Sequence, residues 1–108
     1  MASKIEFHPA AAKEFDSLDG SVKKEVASKI DALADNPFLG KPLGTRGNIN
    51  LTGLYKLYVA KKTYRIVYRL VGKEIEVVEI IGIGKRDKQQ IYKLVVKRVE
   101  AVKKEKNP

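Results

Sequence analysis

The sequence predicts an α+β domain in which an N-terminal helical hairpin packs on a curved, mainly antiparallel four-stranded sheet, with a basic C-terminal helix. Three observations lead to this fold class. Apolar residues recur every three to four positions over residues 22–35 and 88–104, which is the period of a helix that buries one face. They alternate with polar residues over 55–59 and 64–70, which is the period of a half-buried strand. Short turns between the strands favour antiparallel pairing.

Length and composition limit the classes of function. The chain has 108 residues, which favours one domain over 1–108 with a frayed tail at 103–108. It has no cysteine and a single histidine, His8, so we expect no disulfide, no metal site and no cofactor. No apolar run approaches ~20 residues and no signal peptide is evident, which predicts a cytoplasmic protein. The formal net charge of +9 favours an anionic partner, either nucleic acid or an acidic protein.

The N-terminal third predicts a short strand and two helices. Residues 4–7 alternate like a strand, and His8 and Pro9 mark the start of a helix over 10–18, because proline suits the first helical position. We interpret His8 as part of this boundary rather than as a catalytic base. Asp19 or Ser21 caps a second helix over 22–35, and the tight turn between the helices predicts a hairpin.

A long irregular connection over residues 36–53 follows, because it contains two prolines and four glycines. Long ordered loops in small domains are often functional. Lys41 and Arg46 are therefore candidates for ligand contact, although solvated charges are the commoner case. Strands then follow over 55–59, 64–70 and 74–83, and the last helix over about 88–104.

The strand register brings a basic set to one face of the sheet. A hairpin in which Ala60 lies opposite Thr63 places Tyr58 opposite Arg65 and Lys56 opposite Val67. Because side chains alternate, Lys56, Tyr58 and Arg65 share one face, while the apolar residues turn to the other face and the hairpin helices.

The register of the third strand stays open at this point. A two-residue turn at Gly72-Lys73 pairs Arg69 with Glu76 and turns Glu79 toward the core. A slip by one residue instead brings Glu79 to the face of Arg65. There it is either a general base or, as we favour, a partner that holds the Arg65 guanidinium.

Lysine, tyrosine and arginine on one surface are suited to a phosphodiester. Cations stabilise the extra negative charge of a pentacoordinate transition state, and RNA carries its own nucleophile in the 2′-hydroxyl. A base, a proton donor and these cations complete a ribonuclease that needs no metal. Phosphate binding without catalysis, and structural ion pairs, are the alternatives that spacing leaves open.

The chain resembles the RelE/ParE superfamily of bacterial and archaeal type II toxins over nearly its whole length. Two motifs carry most of the resemblance: Tyr-Arg-Ile-Val-Tyr at 64–68, and Gly-Lys-Arg at 84–86 followed after five residues by Tyr92. Supporting matches lie at Lys13-Glu14-Phe15, Asn36-Pro37 and Leu54-Tyr55-Lys56-Leu57.

RelE-like members are ribosome-dependent mRNA endoribonucleases that cut mRNA in the A site, so the resemblance implies this activity and a cognate antitoxin partner. It implies roles for Lys56 in the active site, for Arg65 on the transition-state phosphate, for Arg86 near the leaving group and for Tyr92 in orienting the attacked nucleotide. Tyr58 stands where the family has a second lysine. A ParE-like DNA gyrase poison and a non-catalytic binding member are the alternatives.

Tyr58 can still donate or accept a proton in place of that lysine, and a neighbouring lysine can restore the lost charge. We expect the residues that contact RNA or the ribosome to be basic: Lys61, Lys62, Lys85, Lys88 and Arg46.

Overall fold

Three helices and seven strands make up the part of the chain that the computed structural model describes, which is residues 3–46, 49–59, 61, 63–85 and 90–106. The helices are α1 (Pro9–Asp16), α2 (Gly20–Asp35) and α3 (Gln90–Lys106). The long strands are β1 (Lys4–Phe7), β5 (Leu54–Val59), β6 (Tyr64–Val71) and β7 (Val77–Lys85). The connection between α2 and β5 holds three strands of two residues each: β2 (Lys41–Pro42), β3 (Thr45–Arg46) and β4 (Ile49–Asn50).

The main sheet has the strand order β1-β7-β6-β5-β2. β1 runs parallel to β7, and the other pairs are antiparallel. The predicted α+β class and its four strands are confirmed, and β2 adds a short fifth strand at the edge. Strands β3 and β4 form a separate two-stranded sheet.

The predicted register of the β5–β6 hairpin is confirmed. Tyr58 pairs with Arg65, and Lys56 pairs with Val67. Alternation along each strand then gives Lys56, Tyr58 and Arg65 a common face.

The β6–β7 register differs from both sequence alternatives. The turn between the strands is longer than two residues, so Val71 pairs with Val77 and Arg69 pairs with Glu79 instead of Glu76. Ile75 lies in this turn with a φ of 55°, a left-handed conformation that β-branched residues rarely adopt. A register shift between Val67 and Tyr68 then offsets the remaining pairs by one residue.

Buried side chains form two clusters, on opposite faces of the sheet. The cluster under the α1–α2 hairpin contains Ala11, Val26, Ile30, Leu33, Val59, Ile66, Tyr68, Val78, Ile80 and Ile83. The cluster under α3 contains Leu43, Leu51, Leu54, Val67, Ile81, Ile91, Tyr92 and Val95. Both faces are therefore covered, whereas the sequence pattern predicted an apolar core on the hairpin side and a basic surface on the other.

The N-terminal boundary behaves as predicted. The His8 ring nitrogen Nδ1 accepts a hydrogen bond from the Ala10 backbone N–H at 3.1 Å, so His8 is the N-cap of α1 and Pro9 is its first residue. No helix in the described part of the chain is both long enough and apolar enough to cross a membrane.

Candidate active site

The β5–β6 hairpin positions the first three site residues on the face that α3 covers. Lys56 and Tyr58 are two residues apart on β5, so their side chains leave the strand on the same side. The Lys56 Nζ donates a hydrogen bond to the Tyr58 hydroxyl at 3.0 Å. This Nζ also lies 5.0 Å from the centre of the Tyr58 ring. The two half-buried side chains therefore form one unit that contains an ammonium and a phenol.

Arg65 is the buried cation of the site, with 8% of its surface exposed. Within the described residues, its Nε and Nη1 atoms have no hydrogen-bond acceptor and no access to solvent. Each buried donor that lacks an acceptor costs roughly 1–3 kcal/mol. A buried guanidinium without acceptors binds an anion more favourably than an exposed guanidinium does. The exposed group must first lose its hydrating water, whereas the buried group lost that water when the protein folded.

Two aromatic rings flank this guanidinium. Its central carbon lies 4.7 Å from the centre of the Tyr92 ring and 5.9 Å from the centre of the Tyr58 ring. Both distances are within the ~6 Å range of cation–π attraction. Tyr92 comes from the first turn of α3 and is 1% exposed, because its neighbours Ile91 and Val95 pack in the same cluster against the sheet.

The geometry thus joins four residues that the sequence placed at the site: Lys56, Tyr58, Arg65 and Tyr92. A family model described as the ParE toxin of type II toxin–antitoxin systems, parDE, matches residues 5–90. The chain belongs to this toxin family. It is accordingly a member of the RelE/ParE superfamily, as the sequence motifs predicted.

Relatives of this toxin include RelE proteins. The chain is 28% identical over 99 residues to the mRNA interferase toxin RelE of Escherichia coli K12, which covers 92% of this chain and 99% of the relative. The structure of a mutant E. coli RelE toxin in the free state has a TM-score of 0.72 and 29% identity, over 92% of this chain and 99% of that one. The toxin in the E. coli RelBE toxin–antitoxin complex has a TM-score of 0.65 and 26% identity, over 81% of this chain and 100% of that one.

The structure describes three of the six remaining predicted site residues. Lys85 is exposed at the end of β7, opposite Tyr64, and Lys61 is exposed in the β5–β6 turn with a φ of 55°. Arg46 ends the short strand β3. Arg86, Lys62 and Lys88 lie outside the described residues.

Glu79 is engaged by a different arginine from the one in the site. It lies opposite Arg69, and the Arg69 Nε donates a hydrogen bond to the Glu79 carboxylate. The side chains are only 18% and 17% exposed, so this is a largely buried ion pair. We expected Glu79 to hold the Arg65 guanidinium, but its carboxylate pairs with Arg69 instead. The signal that points to this pair is the opposite charge on adjacent strands.

The sequence reasoning missed the ion pair that attaches α3 to α1. The Arg98 guanidinium donates to both carboxylate oxygens of Glu14, at 2.8 and 3.0 Å, and to the Ile81 carbonyl at 2.9 Å. Glu14 also accepts from the Ile83 backbone N–H at 3.1 Å. The two residues are 84 positions apart, so no local pattern could have paired them.

Proposed function

We propose that this toxin is a ribosome-dependent mRNA endoribonuclease that cleaves mRNA in the A site. The observation that carries the proposal is the buried Arg65, whose Nε and Nη1 lack acceptors within the described residues, beside the Lys56–Tyr58 unit. The relative named an mRNA interferase supports the same class of reaction. A protein with this activity works in the cytoplasm, where ribosomes are found.

The reaction begins with attack of the 2′-hydroxyl oxygen on the adjacent phosphorus. The P–O bond to the 5′-oxygen breaks, and the products are a 2′,3′-cyclic phosphate and a 5′-hydroxyl. The proton leaves the 2′-hydroxyl and a proton reaches the 5′-oxygen, so protons balance. In this proposal the RNA supplies the nucleophile and side chains supply the proton transfer, and a metal ion has no assigned step.

Arg65 has the role of stabilising the phosphoryl oxygens. Charge builds on these oxygens in the pentacoordinate transition state, and a guanidinium in a water-poor site interacts with that charge more strongly than one in water. The N–H groups of the two nitrogen atoms that lack acceptors within the described residues, Nε and Nη1, are the donors available for it.

The Lys56–Tyr58 unit has the role of moving the proton. Tyr58 stands where the superfamily has a lysine, and its hydroxyl accepts a hydrogen bond from the Lys56 ammonium. In this proposal Tyr58 acts as a phenolate beside the Lys56 ammonium, takes the 2′-hydroxyl proton and becomes a phenol. The resemblance to the superfamily places Arg86 near the leaving group and gives Tyr92 a role in orienting the attacked nucleotide.

The experiment is cleavage of mRNA on purified ribosomes, with the cut positions mapped relative to the A site. We expect cuts in the A-site codon, and Arg65→Ala to lower the rate by roughly 10²–10³, the usual effect of losing one electrostatic donor. Tyr58→Phe tests the proton transfer, since it keeps the ring beside Arg65 and removes the hydroxyl. The control is Lys29→Ala on the exposed side of α2, which removes one positive charge far from the site.

A second candidate is a DNA gyrase poison, because the matching family model describes a ParE toxin. Trapped breaks in gyrase-bound DNA together with intact mRNA would favour this candidate over the ribonuclease. Ribosome or RNA binding without either effect would leave a non-catalytic binding protein.

We also propose a cognate antitoxin as the physiological partner. The similar RelBE structure is a toxin–antitoxin complex, and the net charge of +9 on this chain suits an acidic partner segment. Co-expression with the protein encoded by a neighbouring gene, followed by co-purification, tests the pairing.

A further inference from the structure

The position of Tyr92 raises the question of what its ring can contact. Tyr92 is 1% exposed and belongs to the cluster of buried residues under α3. In the protein without RNA, this ring therefore packs against other side chains and not against solvent. One partner of the ring is the Arg65 guanidinium, 4.7 Å from the ring centre.

Arg65 needs support of this kind. Its Nε and Nη1 atoms lack acceptors within the described residues, and its long side chain has many rotamers. Aromatic faces attract a desolvated cation more strongly than a solvated one, because water does not compete for the charge. An aromatic ring that packs on the flat face of the guanidinium therefore favours one orientation of the arginine side chain. The N–H groups lie in the plane of the guanidinium, so they stay available for hydrogen bonds.

The ring itself is held by the helix that carries it. Ile91 and Val95 pack in the same cluster as Tyr92, and Arg98 joins α3 to Glu14 on α1. Because α3 fixes the position of the Tyr92 ring, the contact with this ring restricts the motion of the Arg65 side chain on β6.

We propose that Tyr92 is a positioning residue, which holds the Arg65 guanidinium by a cation–π contact and acts on the reaction through Arg65. This inference rests on the proposed ribonuclease for its kinetic consequence, but the contact itself can be tested without any activity. It assigns to α3 a part in preorganising the phosphate-binding cation.

The test replaces Tyr92 by phenylalanine and by mono-, di- and trifluorinated phenylalanines, which are incorporated by nonsense suppression. Fluorine withdraws electron density from the face of the ring, and so weakens the cation–π contact in steps while the shape changes little. The slope is taken from the Tyr92→Phe variant, so the loss of the hydroxyl does not enter it. Phe7, whose ring packs against Phe15 at 5.9 Å under the other face of the sheet, receives the same series as a control.

Two measurements are made on each variant. The first is the rate of rotation about the Arg65 Nε–Cζ bond, observed by nuclear magnetic resonance, which should rise with each fluorine at position 92. The second is mRNA cleavage on ribosomes, where we expect kcat to fall in steps to about tenfold below the Tyr92→Phe variant, with KM changed less than about twofold. Thermal unfolding midpoints should stay similar across the series.

The outcomes separate this inference from the proposed function. If the unmodified protein cuts no mRNA, the proposed function fails, and the rotation rates alone decide the positioning role. Rotation rates that do not change across the series overturn it. A change in KM instead of kcat across the Tyr92 series also overturns it, because it would indicate that the ring contacts the nucleotide. Changes of the same size in the Phe7 series would overturn it as well, because they would indicate an effect of packing alone.

Discussion

Tyr68 shows at the scale of one residue how the connection after α2 is held beside the site. Its side chain is fully buried and stacks on Tyr55 at 5.4 Å between ring centres. Its hydroxyl donates to the Pro37 carbonyl and accepts from the Gly40 N–H, both at 2.9 Å. Gly40 must be glycine here, because a Cβ atom would lie 2.4 Å from the Lys56 carbonyl oxygen. The connection is thus fixed against the strand that carries Lys56.

We expect Tyr68→Phe to lower the free energy of unfolding by roughly 1–3 kcal/mol, because it leaves the partly buried Gly40 N–H and Pro37 carbonyl unpaired. Burial raises the pKa of Tyr68 above its usual value of 10. The raised pKa means that the contribution of the neutral phenol is complete below about pH 10 and is lost as the pH rises through the folded-state pKa. Urea denaturation between pH 8 and 12 should therefore show the wild-type advantage over Tyr68→Phe shrinking in the alkaline range. Parallel curves would contradict this prediction.

The attachment of α3 is decided at the scale of secondary-structure elements. The pairing of β1 with β7 ends at Ile80, so the next part of β7 has an edge without β1. Glu14 from α1 accepts from the Ile83 N–H at this edge, and Arg98 from α3 donates to the Ile81 carbonyl. The same two side chains pair with each other. One ion pair therefore completes the edge of β7 and connects the helices on the two faces of the sheet.

We expect Arg98→Ala to lower the free energy of unfolding by about 2–4 kcal/mol, because it leaves the Glu14 carboxylate largely buried without its cation. Arg98→Lys should recover only part of this loss, since lysine lacks the planar fork that meets both carboxylate oxygens. The measurements are chemical denaturation and hydrogen exchange along α3. Lys97→Ala, an exposed change on the same helix, is the control and should stay within about 0.5 kcal/mol. Equal effects of both variants would remove the special role of the pair.

At the scale of the whole molecule, the chain combines a sheet that is covered on both faces with a large positive charge. Lys and Arg number 22 against 13 Asp and Glu, which gives the net charge of +9. With a core cluster on each face, this charge lies mostly on helix surfaces, turns and strand ends instead of on an open sheet face. Within the described residues, Arg65 is instead buried, and Arg69 and Arg98 are largely buried in ion pairs.

Binding of a single-stranded RNA oligonucleotide should therefore depend steeply on salt. If about five phosphates are contacted, affinity falls about 100-fold between 50 and 200 mM salt, because each contact releases a condensed counterion. Fluorescence anisotropy with a non-cleavable 2′-methoxy oligonucleotide measures this. Arg65→Ala should reduce the slope of log affinity against log salt by about 0.7. A slope near zero would show that charge contributes little to RNA binding.

The sequence by itself was sufficient for the β5–β6 hairpin and the residues it presents. Alternation gives each side chain a face, and a short turn leaves few registers, so Lys56, Tyr58 and Arg65 could be placed together without coordinates. Helical periods likewise located α2 and α3 to within a few residues. These features depend on the spacing of residues along the chain, which the sequence shows directly.

Only the tertiary structure decided how the second face of the sheet is closed. The longer β6–β7 turn and the register shift at Val67/Tyr68 set the Arg69–Glu79 pair, and no strand pattern specifies how many residues a turn will use. The packing of α3 buried Tyr92 against Arg65, and the Glu14–Arg98 pair joined positions 84 residues apart. Such contacts result from many weak interactions summed over distant segments, which is why the residue types of the site could be predicted and the burial of its arginine could not.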